Sequence, residues 1–152
     1  MKLLQLAEDA LWKQRFRVPR LGATTIAPLN PERGLVLSNQ SGKMQLYRWH
    51  PAGNELVQLT HRPDGVGWHA FDPAGDFIYY LDDKKGNELG HFVRLPYAGG
   101  DPVDIMPDLP VFSPAGLAFS RSNNALGFTT GDRKSTRLNS SHSQQSRMPS
   151  SA

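Results

Sequence analysis

The chain has 152 residues, 38% of them hydrophobic, with 14 glycines, 12 prolines and a mean hydropathy of -0.48. It contains no cysteine, which excludes disulfides, thiolate zinc sites and a cysteine nucleophile. The net charge of +3 belongs to the tail, where Arg133, Lys134, Arg137 and Arg147 face Asp132 alone. The rest of the chain balances its basic and acidic residues, so no phosphate-binding face is indicated and no nucleic-acid partner is expected.

In chain order, Leu3, Leu6, Ala7, Ala10 and Leu11 recur at helical spacing, which predicts a lead-in helix over residues 2–13. Glu8 and Asp9 interrupt that run too early for a secretory signal. No stretch approaches the roughly 20 apolar residues of a membrane span, so no membrane partner is expected and the location is read as cytoplasmic. Residues 15–19 read as an extended link. Short strands are then expected at 24–29, 34–38, 44–49 and 56–60. A second group follows at 68–71, 77–81, 89–95 and 102–105. Between its first two strands, Asp72-Pro-Ala-Gly75 is a turn: Asp caps it, Pro presets φ, and Gly accepts positive φ. Asp82-Asp-Lys-Lys-Gly-Asn87 reads as a polar hairpin loop and Ala98-Gly-Gly-Asp101 as a turn. Pro102 suits an outer strand, where no ladder donor is required. A third group has strands at 116–120 and 125–130.

The groups repeat. Gln45-Leu-Tyr-Arg-Trp-His-Pro-Ala-Gly aligns on His91-Phe-Val-Arg-Leu-Pro-Tyr-Ala-Gly. Leu29-Asn-Pro-Glu-Arg-Gly-Leu-Val-Leu37 aligns on Phe71-Asp-Pro-Ala-Gly-Asp-Phe-Ile-Tyr79, and so does Phe119-Ser-Arg-Ser-Asn123 on its first half. A period of roughly 40–50 residues built from four short strands marks β-propeller blades. The expected fold is therefore all-β: a partial β-propeller of about two and a half four-stranded blades, with a short N-terminal helix. Residues 1–20 are helix and linker. Residues 21–131 are the partial propeller, with blades at about 22–63, 64–110 and 111–131, the last incomplete.

Beyond Gly131 the character changes. Aromatic residues vanish, serine dominates and no periodicity remains, so residues 132–152 read as a disordered tail. Asp132-Arg-Lys-Ser-Thr-Arg-Leu-Asn-Ser-Ser-His142 resembles the translation of a common sequencing-library adapter in one reading frame. Gln145-Ser-Arg-Met-Pro-Ser-Ser-Ala152 resembles the distal part of the same adapter. The expectation is that the natural reading frame continues past Gly131 and that this chain stops within a domain.

The elements Asp72-Pro-Ala-Gly75, Leu46-Tyr47, Gly99-Gly100 and Leu59-Thr60 resemble blades of TolB-like and prolyl oligopeptidase-type propellers. Tyr80-Leu-Asp-Asp-Lys-Lys-Gly-Asn-Glu-Leu89 is similar to a hairpin of the peptidase propellers. The resemblance spans residues 29–130. It implies the non-catalytic part of a serine peptidase, whose propeller caps a C-terminal α/β-hydrolase domain and restricts access to short peptides. That domain and those peptides are the implied partners. The alternative is a TolB-like or WD-like propeller scaffold with no catalytic domain. The hydrolase nucleophile elbow Gly-x-Ser-x-Gly does not occur: Ser38, Ser41, Ser113, Ser120 and Ser122 all lack its glycines. The paired glutamates of dipeptidyl-peptidase-like members are absent too.

No catalytic, cofactor-binding or metal-binding residue is assigned, and no cofactor is expected. His50, His61, His69 and His91 lack metal-ligand spacing and read as strand or turn histidines with ordinary hydrogen bonds. Asp82 and Asp83 read as solvated loop carboxylates beside Lys84 and Lys85, with a neighbouring domain or calcium as the alternative partner. Trp12, Trp49 and Trp68 read as packing residues, because blade-to-blade contacts use large aromatics. Gly99-Gly100 is a turn, since no helix pattern follows it to make a phosphate cradle.

Overall fold

The computed structural model describes residues 7, 9–53 and 55–131, with the backbone alone at 143–147. A first sheet runs in chain order through β1 (Leu21–Ala27), β2 (Asn30–Ser38), β3 (Gln45–Trp49) and β4 (Leu56–Gln58). A second repeats this meander with β5 (His69–Phe71), β6 (Phe77–Asp83), β7 (Gly90–Pro96) and β8 (Val103–Asp104). The third contains β9 (Ser113–Phe119), β10 (Ala125–Gly131) and β11 (Ser143–Arg147), with β10 in the middle. Neighbouring strands are antiparallel throughout. The chain is all-β, a partial propeller of blade-like sheets behind a short helix, and none of the sheets closes on itself.

Successive residues of a strand face opposite sides, so the middle sheet can bury both of its faces. Ile78 and Tyr80 of β6, with Val93 and Leu95 of β7, pack against Leu35, Leu37 and Leu46 of the first sheet. Tyr79, between Ile78 and Tyr80, instead meets the ring of Phe119 on the third sheet at 5.3 Å. Phe92, next to Val93, joins Phe112, Met106 and Phe128 in the second core. This double burial explains why Ile78-Tyr-Tyr-Leu81 reads as a continuous apolar run rather than an alternating one.

Polar contacts fix how the sheets meet. The Asp72-Pro-Ala-Gly75 turn forms as expected: Gly75 N–H donates to Asp72 C=O at 3.0 Å, and Phe77 N–H donates to the Asp72 carboxylate at 3.2 Å. Gly75 has φ +74, and a Cβ there would lie 2.8 Å from Ala27 Cβ of the first sheet. Only glycine fits both requirements. Leu29 N–H donates to Pro73 C=O at 2.8 Å, and Arg33 donates to Gly75 C=O and pairs with Asp76. At the second junction the Asn123 amide donates to Asp72 Oδ2 at 3.0 Å. Asn123 stands where the repeat places Gly75 and has φ +55, a conformation asparagine tolerates better than most residues.

Several expectations need correction. The helix α1 spans only Leu11–Gln14; Ala10 is extended, with ψ 131. Leu11 is 80% exposed, so the segment buries no apolar stripe that could support further turns. Residues 2–6 and 8 of the expected helix lie outside the described residues. The link at 15–19 starts with turns, in which Phe16 and Arg17 N–H groups donate to Lys13 and Gln14 C=O. In the first sheet the chain reverses at Pro28-Leu29, closing Ala27 onto Asn30, and the expected turn residues Asn30 to Arg33 begin β2. The Leu29–Pro73 contact holds the reversal there. Asp82 and Asp83 belong to β6, which shortens the hairpin loop. In the tail, Ser143–Arg147 form β11 where disorder was expected, because the β10 backbone edge offers pairing groups. The rest of the tail lies outside the described residues.

Candidate functional site

A cleft of about 770 Å³ opens at one end of the stack, among the link from β4 to β5, the β6–β7 hairpin and the start of β9. Met44, Val66, Trp68 and Leu81 give it apolar surface, and Lys43, Asp64, Asp83 and Glu88 supply its charges. Clefts that bind small molecules or peptides combine these two elements.

The link is held from below by two buried polar residues, Gln45 and Thr60, each 4% exposed. Thr60 Oγ1 donates to Gln45 Oε1 and accepts from Leu46 N–H, both at 2.8 Å. Gln45 Nε2 donates to Arg62 C=O at 2.7 Å, and its Oε1 accepts from Arg62 N–H at 3.1 Å. Every polar atom of this node thus has a partner, as burial requires. Val66 N–H then donates to Met44 C=O at 2.7 Å and Lys43 donates to Pro63 C=O, which anchors the link to the loop before β3.

The opposing wall is the β6–β7 hairpin. Lys85, Gly86 and Glu88 all have positive φ, at 58°, 66° and 58°. For Lys85 and Glu88 this conformation costs on the order of 1 kcal/mol each. Carboxylates hold it: Lys85 N–H donates to Asp64 Oδ2 at 3.1 Å, and Glu88 N–H donates to Asp83 Oδ2 at 3.0 Å. Arg62 pairs with Asp82 and donates to Asp83 C=O at 3.0 Å. The two aspartates are therefore half-buried structural acceptors rather than solvated loop charges.

The histidines do not converge. His61 bonds to Gln58, and His91 Nδ1 lies 2.7 Å from Asp104 with its ring stacked on Phe112. His69 sits on β5 opposite Tyr80. Burial pushes its imidazole below the usual range, with the Gly67 backbone acting in the other direction. Ordinary hydrogen bonding was expected for all of them, yet His69 Nδ1 and His91 Nε2 are buried without a partner. Burial likewise raises the Tyr79 phenol to about 12, opposed by the nearby Arg94 charge. The tryptophans are equally dispersed: Trp12 packs edge-on to Phe16, Trp68 lies 4.6 Å from Phe92, and Trp49 lies over Gly34. Gly99 and Gly100 have φ +97 and +125 and form the expected turn. Among the described residues, Ser113 lines the cleft and no histidine does. Among the described residues, no group of three histidines or carboxylates is placed to hold a metal ion. No described helix is long and apolar enough to cross a membrane.

Among the described residues this arrangement offers apolar surface, three carboxylates and one ammonium, which suits binding. Sequence reasoning missed Gln45, and it used Thr60 only as part of a blade motif. The hydrogen bond from Leu46 N–H gives that threonine a physical role. No protein-family model matches the chain, and a search of curated proteins returns no match.

Proposed function

We propose that this chain is non-catalytic propeller structure from a prolyl oligopeptidase-like serine peptidase, acting in the cytoplasm, where it caps an α/β-hydrolase domain and gates short peptide substrates. The observation that carries the reading is the stack itself. Four-stranded meanders recur at the blade period and bury their faces on one another, as the units of a ring do. The Lys85–Glu88 hairpin, which carries the sequence resemblance to peptidase propellers, forms one wall of the cleft. Its strained backbone is the kind of feature retained where a loop has work to do.

The second reading, a TolB-like or WD-like scaffold, draws on the same blades. Sequencing the source DNA across the codon for Gly131 separates the two. The peptidase reading expects further blades in frame and then a domain with Gly-x-Ser-x-Gly. It also expects the complete product to react with a serine-directed fluorophosphonate and to cleave short peptides but not folded proteins. A stop codon once the ring is complete overturns it in favour of the scaffold.

A further inference from the structure

The register of the third sheet shows a mismatch between β10 and the strand that covers it. Leu126 and Phe128 of β10 are buried, at 3% and 4% exposure, and Phe128 packs into the core shared with the second sheet. They occupy the places that Ile78 and Tyr80 hold in β6. In the second sheet the strand positions opposite Ile78 and Tyr80 are Leu95 and Val93, both in the core. In the third sheet the positions opposite Leu126 and Phe128 are Ser146 and Gln144. In the first sheet Leu46 stands opposite Leu37, both in the core, while the other core residue of β2, Leu35, stands opposite Arg48. The covering strand is Ser143-Gln-Gln-Ser-Arg147, which contains no apolar residue at all. Main-chain hydrogen bonding to an open edge suffices for such a strand.

We propose that the β10 edge is a strand-acceptor site for an extended peptide segment with apolar residues opposite Leu126 and Phe128, and that Ser143–Arg147 occupies it as a weak substitute. The site supplies alternating N–H and C=O groups along Ala125 to Thr129, which fix an antiparallel orientation. It supplies specificity through the row of buried side chains on one face only. The fitting segment has the pattern of β7, in which Val93 and Leu95 stand two apart on the same face.

The test uses the full chain and changes only the covering strand. Gln144→Val with Ser146→Leu restores the apolar pair on the face of Leu126 and Phe128. Ser143→Val with Gln145→Leu adds the same side chains to the opposite face. Amide hydrogen exchange at residues 125–129 is the readout. The first double variant is expected to slow exchange there by about tenfold or more, and the second by less than about threefold. Gln144→Pro with Gln145→Pro removes whichever of the two adjacent N–H groups points at β10, and those amides within 125–129 that point at this strand, not the ones bonded to β9, are expected to exchange at the rate of unprotected amides. That variant also opens the edge to a synthetic peptide of sequence Gly-His-Phe-Val-Arg-Leu-Pro, which should restore protection. The same peptide N-methylated on alternate residues should not. Equal effects of the two apolar double variants would remove the claimed specificity. Unchanged exchange in the proline variant would show that β10 is not held by this strand at all.

Discussion

Truncating Phe128 to alanine is the sharpest test of how these sheets hold together. Phe128 is 4% exposed, its ring lies 6.1 Å from both Phe92 and Phe112, and it reaches the second sheet from the third. Removing a buried phenylalanine costs about 3–5 kcal/mol, part from lost transfer energy and part from the cavity left behind. The third sheet meets the second through a compact group, Phe92, Met106, Phe112 and Phe128, so losing one of its four buried members weakens the whole junction. The first and second sheets share a separate core built on Leu35, Leu46, Ile78 and Leu95, which Phe128 does not touch. The loss should therefore be local. At about 1.4 kcal/mol per decade, 3 kcal/mol corresponds to roughly a hundredfold faster exchange of β9 and β10 amides. Amides of β2 and β3 should change by less than about threefold. Hydrogen exchange followed by mass spectrometry reads both regions in one experiment. Uniform acceleration across all three sheets would refute the idea of separate junctions, and no acceleration in β9 and β10 would refute the packing itself.

Other substitutions probe the contacts that set register. Gly75→Ala meets both a positive φ and a Cβ 2.8 Å from Ala27, and is expected to cost about 2 kcal/mol or more in urea denaturation, whereas Gly99→Ala, at φ +97 with open space around it, should cost only about 1 kcal/mol. Asn123→Gly keeps the left-handed backbone but loses the amide bond to Asp72, so its cost of about 1–2 kcal/mol isolates that bond; Asn123→Ala should cost more. His69 has a folded-state value below 6.5, so the unfolded chain binds the proton more readily. Its contribution is present above about pH 6.5 and is lost as pH falls through that value toward the lower folded one; His69→Phe should flatten the acid limb of a stability–pH curve measured by urea denaturation.

The strands were legible because each carries its own signal: alternation, an apolar run, or a Pro/Gly turn within a few residues. Phe77, Gln45 and Leu56 begin strands within a residue of where the pattern placed them. What the sequence did not show depends on distant partners. The reversal at Pro28-Leu29 is set by Pro73 in the next sheet, and no local rule distinguishes it from the Asn30-Pro31 turn that composition favours. The helix forms but is shorter than the spacing predicted, for the same reason in reverse: Leu11 has the right spacing but finds no surface to cover. The cleft was invisible because Lys43, Asp64, Glu88 and Ser113 come from four separate segments. Asp83 was seen but misread, since its role as acceptor for Glu88 N–H requires knowing that Glu88 adopts positive φ.

The two junctions reach the same geometry by different chemistry, and this separates what the blade repeat specifies from what it leaves free. At the first, the partner of the turn is a guanidinium: Arg33 holds Gly75 and Asp76 at a half-exposed surface. Such an exposed pair contributes at most about 1 kcal/mol. At the second, the partner is a buried carboxylate, Asp72, which takes hydrogen bonds from Phe77 N–H within its own turn and from Asn123 across the junction. A buried acceptor left with one donor missing costs more than an exposed pair lost. Apolar burial thus supplies the attraction at both junctions, while the polar contact selects the register, and it does so more stringently at the second. Arg33→Ala should therefore leave the first junction assembled with little change in stability, whereas Asp72→Ala should loosen the second junction together with its own turn. Comparable small losses from both substitutions, in the same urea denaturation assay, would show that apolar packing alone sets the register.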